Sequence, residues 1–163
     1  MKLPDKHAVQ KALVDALERA LSTMVNAARA TREGAVHEDS RAEGDKDMRS
    51  TEQSYLARGQ AMRAEDLAEQ LQRLRAEKVV AFGAGDAIAV GALVLVEVDA
   101  AARRALYVSP YGAGAVLRVG NVEVTVVTPS SPMGQALLGK QAGDDFELRT
   151  RGVERSYVIA GVA

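Results

Sequence analysis

The chain contains no cysteine. That excludes disulfides, thiolate zinc sites and cysteine nucleophiles. It has no tryptophan and only 4% aromatic residues. Its two histidines, His7 and His37, match no metal-ligand spacing. An excess of charge of either sign is also missing: 21 Lys+Arg stand against 22 Asp+Glu, a formal net charge of −1. A protein so balanced does not grip nucleic acid by bulk electrostatics, and no sequence-specific DNA binding is expected. Long apolar runs are absent too. The longest, Ala87 to Val96, is about half a membrane span. The opening Met1-Lys2-Leu3-Pro4-Asp5-Lys6 has no apolar signal-peptide core. The expectation is a soluble, cytoplasmic protein with no membrane partner. Its 163 residues, 47% apolar and 26% charged, suit one or two small folded domains.

The composition changes near Lys78. Residues 1–78 hold 28 charged residues, 14 of each sign, and residues 79–163 hold 15. Valine runs the other way, with 4 in the first part and 16 in the second. Most glycines and three of the four prolines also lie in the second part. A charged, Ala/Leu-rich segment before a Val/Gly-rich one predicts helix followed by sheet. We therefore expect two domains, 1–78 and 79–163, joined near Ala81-Phe82-Gly83-Ala84-Gly85-Asp86.

In the first part Leu13, Leu17, Leu21, Met24 and Ala28 step by four and three, and Leu67, Leu71 and Leu74 do the same. Each set is one apolar stripe on an otherwise polar helix. Neither stripe can be buried alone, so the two helices should fold together as an antiparallel hairpin. Pairing Leu17 with Leu71, Leu21 with Leu67 and Met24 with Ala64 centres the turn on Gly44. The loop then falls within Glu38-Asp39-Ser40-Arg41-Ala42-Glu43-Gly44-Asp45-Lys46-Asp47, which holds five acids and two bases. Each helix would run about 30 residues, or roughly 45 Å. Large leucines sit only at the base; toward the turn the apolar residues are mostly alanines, including Ala27, Ala28, Ala30, Ala57, Ala61 and Ala64. A long, slender prong with an acidic point suits reaching into a partner.

The second part reads as short strands over Ala92–Val98, Arg104–Ser109, Ala115–Val119 and Val122–Thr128, with Gly120-Asn121 as a two-residue hairpin signal. Thr128-Pro129-Ser130-Ser131-Pro132 interrupts them. Met133–Leu138 should be a short helix stopped by Gly139. Asp145–Thr150 and Ser156–Val162 form a last hairpin through Arg151-Gly152-Val153. The sum is an α+β chain: a long N-terminal antiparallel helical hairpin, then a small antiparallel sheet with one short helix.

The run Ser130-Ser131-Pro132-Met133-Gly134-Gln135-Ala136-Leu137-Leu138-Gly139-Lys140-Gln141-Ala142-Gly143-Asp144 closely resembles the S-x-x-S-P-x-G-x-A-L-L-G-K-x-x-G-D signature of bacterial GreA/GreB transcript cleavage factors. Val90-Gly91-Ala92-Leu93-Val94 is similar to the start of the C-terminal domain in that family. The resemblance covers about Ile88 to Val162. It implies a coiled-coil hairpin followed by an FKBP-like domain, the order that periodicity gives independently. It also implies a partner, bacterial RNA polymerase, and an accessory role rather than an enzyme of its own. The globular domain would dock at the rim of the polymerase secondary channel, through Ser131, Pro132, Met133, Leu137 and Leu138, and the hairpin would enter it. No tightly bound cofactor is implied, only the Mg²⁺ of the polymerase active centre, which tip carboxylates help to hold. Backtracked RNA would then be cleaved by the polymerase, so this chain meets RNA indirectly. Carboxylate oxygens suit a hard cation that lowers the pKa of its water and offsets developing phosphate charge.

The family's tip motif, approximately A-R-E-x-G-D-L-x-E-N-A-E-Y, fits here in two registers. Ala30-Thr31-Arg32-Glu33-Gly34 on the motif puts Glu38 at its second acid but Ala35 at its aspartate. Gly44-Asp45 on the motif keeps the aspartate but puts Met48 at the second acid. The hairpin geometry favours the latter, with Glu43, Asp45 and Asp47 near the apex. The candidate catalytic acids are thus Glu38, Glu43, Asp45 and Asp47, with Asp45 and Asp47 as Mg²⁺ ligands. A tip that keeps one acid of the pair also suits a factor that binds the channel and regulates initiation or elongation without cleavage.

Plainer readings stand beside these. An acidic loop between helices can be solvated surface, and Asp45, Asp47 or Ser50 can cap the second helix, with Ser50-Thr51-Glu52-Gln53 fitting a capping box. Gly83-Ala84-Gly85 and Gly112-Ala113-Gly114 lack the strand and helix context of a nucleotide loop. An FKBP-like fold suggests prolyl isomerisation, but such a pocket needs aromatic walls and the second part has few aromatics. A dimerising coiled coil would keep large apolar residues out to its tip.

Overall fold

The computed structural model describes residues 2–38, 46–83, 85–150 and 152–163, with the side chains of residues 31–38 and 46–54 outside the description. Helix α1 spans Lys6–Glu38 and α2 spans Lys46–Ala76. They are followed by β1 (Leu93–Val98), β2 (Ala102–Val108), β3 (Val116–Val119), β4 (Val122–Val127), α3 (Pro132–Leu137), β5 (Asp145–Thr150) and β6 (Val153–Val162). The order is an N-terminal helical hairpin and then a six-stranded, mostly antiparallel sheet with one short helix. Helix α1 ends at Glu38 and α2 begins at Lys46; the turn expected at Gly44 lies outside the described residues. The chain divides into two compact units: residues 1–16 with 77–163, and residues 17–76.

In the smaller unit Leu17, Leu71 and Leu74 are buried, while Leu21, Met24, Ala28, Ala64 and Leu67 are half-buried. The Arg75 guanidinium donates to the Glu18 carboxylate, joining α2 to α1 across the hairpin. Further along, Val25, Tyr55, Leu56 and Met62 are exposed, as are Ala27, Ala30, Ala57 and Ala61. The seam is thus leucine-filled at one end of the hairpin and thin toward the other.

In the larger unit the sheet order is β3-β4-β2-β1-β6-β5. Period-two alternation sends Val94, Val96, Val98, Leu106, Val108, Tyr157 and Ile159 to one face, where Ile88, Leu137 and Phe146 complete the core. Phe146 and Tyr157 are directly cross-strand partners, and their rings stack at 5.0 Å. Leu93, Leu95, Ala105, Tyr107, Val124 and Val126 point the other way and are buried as well. Burial and the nearby Glu77 carboxylate both push the Tyr107 hydroxyl above its ordinary pKa.

Two differences from the sequence reading have simple causes. The sheet is not wholly antiparallel: β2 and β4 run parallel, Ala105 against Val124 through Val108 against Val127. The β3–β4 hairpin turns back so that β4, not β3, lies beside β2. Strand β6 also begins at Val153 rather than Ser156, because Thr150 pairs with Val153, and Gly152 just before it takes φ +83°. The start of α1 belongs to this unit. The buried Lys6 ammonium donates to the Val80 carbonyl and lies 4.5 Å from the centroid of the Phe82 ring. One turn on, Gln10 Nε2 donates to the Glu77 carbonyl at 2.9 Å.

Candidate functional site

The segment from Thr128 to Asp144 carries the family-like residues, and nearly all of them have a local task. Leaving β4, the chain turns at Thr128, whose carbonyl accepts from Ser131 N at 3.0 Å and from Ser131 Oγ at 2.7 Å. Ser131 Oγ in turn accepts from Gly134 N at 3.1 Å, capping α3. Pro132 follows, where its fixed φ suits a helix start and its missing N–H costs nothing. Gly134 is needed for space. A Cβ there would stand 1.9 Å from the Thr128 carbonyl oxygen.

The end of α3 is built as tightly. Leu138 N donates to the Gly134 carbonyl at 2.9 Å, and Gly139 takes φ +81°, a left-handed stop open to glycine. Gly139 N then donates to the Ile88 carbonyl at 2.9 Å, and Ile88 N to the Lys140 carbonyl at 2.8 Å. This two-bond bridge ties the helix end to Ile88, just ahead of β1. Asp144 Oδ2 accepts from Gln141 N at 2.8 Å and closes the next turn. Gly143 N donates to the Ile159 carbonyl at 2.8 Å and so aligns the segment with β6.

The expected docking residues separate on this frame. Leu137 has 0% exposure and belongs to the core. Leu138, its neighbour, is 36% exposed. Pro132 is exposed, while Ser131 and Met133 are half-buried, with Met133 packed against the core. Ser131 spends its hydroxyl on two local hydrogen bonds and has no free nucleophile to offer. Val90, 43% exposed, is carried on the same bridged piece as Leu138. Val90 opens the Val90–Val94 run, but nothing in that run marks it as exposed; its placement follows from the hydrogen bonds of Ile88 to Gly139 and Lys140. Pro132, Leu138 and Val90 thus present apolar side chains to solvent from a backbone tied by these hydrogen bonds.

The acidic candidates belong to another part of the sequence. Glu43 and Asp45 lie in residues 39–45, outside the described residues. Glu38 ends α1 and Asp47 is the second residue of α2, and their side chains also lie outside the description. Among the described residues no group of three or more His, Asp or Glu could hold a metal ion. Among them, too, no helix is long and apolar enough to cross a membrane.

Solved structures similar to this chain include one of the transcription factor Gfh1, at 24% identity, 93% and 94% coverage of this chain and that one, and a TM-score of 0.41. Another is the GreA factor homolog 1 of Thermus thermophilus, at 24% identity, 94% and 96% coverage and a TM-score of 0.38. A prokaryotic transcription elongation factor GreA/GreB from Nitrosomonas europaea matches at 19% identity, covering 59% of this chain and 78% of that one, with a TM-score of 0.38. No protein-family model matches the sequence, and no curated protein does.

Proposed function

We propose that the chain is an accessory factor of bacterial RNA polymerase that docks through its globular unit and places its helical hairpin in the secondary channel, where the tip acids stimulate cleavage of backtracked RNA. The observation that carries this reading is the segment 130–144. Its Gre-like residues coincide with the cap, the close glycine, the helix stop and the closing turn that hold Pro132, Leu138 and Val90 at the surface. The hairpin in the same chain supplies the second part, with five acids between Glu38 and Asp47.

Glu38, Glu43, Asp45 and Asp47 are the candidate catalytic acids, and Asp45 and Asp47 are those that would help to hold Mg²⁺; their donor chemistry, hard carboxylate oxygens, fits that ion. The chemistry such an ion would supply there is an activated water and an offset to phosphate charge. The chain's own part is to deliver and orient those oxygens. The polymerase remains the enzyme.

A specific feature favours a second reading. In either tip register only one acid of the family pair is kept, with Ala35 or Met48 at the other position. A factor so altered would occupy the channel and regulate initiation or elongation without cleavage. The test uses stalled, backtracked polymerase. Accelerated RNA shortening, abolished by joint Glu43→Ala, Asp45→Ala and Asp47→Ala changes, supports cleavage. Altered elongation or initiation without shortening supports the regulator. No affinity for polymerase removes both.

A further inference from the structure

We draw no further inference here: the strongest candidate, the exposed apolar side chains Tyr55, Leu56 and Met62 on α2 beside Arg58 and Arg63, lies on a helix surface for which nothing in the structure shows what covers it.

Discussion

Gly134→Ala is the sharpest test of how the α3 segment is built. The added methyl would stand 1.9 Å from the Thr128 carbonyl oxygen, 2.8 Å from its carbon and 3.1 Å from Pro129 Cα. All three are backbone atoms, so no side chain can swing aside. Relief requires moving the carbonyl that holds Ser131 N and Ser131 Oγ, and with it the cap on Gly134 N. Overpacking of this kind costs ~1–3 kcal/mol. Weakening two hydrogen bonds adds about 1 kcal/mol each. The expected loss is therefore about 3–5 kcal/mol. Urea unfolding followed by tyrosine fluorescence reads it, since the chain has no tryptophan and Tyr107 and Tyr157 are buried in this unit. A Gly134→Ala protein within about 0.5 kcal/mol of the parent, the range of an ordinary surface change, would refute the packing described here.

Gly59→Ala in α2 should do the opposite, since nothing lies within 4 Å of the added carbon; a gain of ~0.5–1 kcal/mol in helix stability is expected, read by circular dichroism during urea unfolding. Leu137→Ala should cost about 2–5 kcal/mol, while Leu138→Asp should leave the urea midpoint nearly unchanged and weaken binding to RNA polymerase at least tenfold. Burial lowers the Lys6 pKa from 10.5 to about 8. Between those values the unfolded chain holds a proton that the folded one has released, so this group's contribution makes stability rise with pH across the window, by roughly 1–3 kcal/mol. Lys6→Met should flatten that rise when urea midpoints at pH 7.5 and 9.5 are compared with the parent's, and an unchanged slope would show that the lysine is not buried in solution.

Much of the fold was legible because one period dominates each half. The stripe Leu13-Leu17-Leu21-Met24 sets the face of α1, and Leu67-Leu71-Leu74 that of α2. The valines at every second position of β1 and β4 mark strands directly. Strand direction was not legible: Val124 and Val126 alternate in the same way beside a parallel or an antiparallel neighbour, so the β2–β4 pairing had no local signature. Nor was the division of Leu137 from Leu138, which depends on which side of a six-residue helix meets the sheet. Nothing in the sequence around Lys6 marks it as buried. Its burial depends on Val80 and Phe82, residues far along the chain.

The central claim, that the hairpin reaches the polymerase active centre while the globular unit docks outside, is tested most directly by site-specific crosslinking. A photoreactive group replacing Glu43 in a complex with backtracked RNA polymerase should crosslink to the RNA 3′ end or to the polypeptide lining the catalytic site, while the same group at the exposed Val153, the first residue of β6, should not. Absence of any crosslink from position 43 in a complex shown to have formed, or equal labelling from both positions, would contradict it.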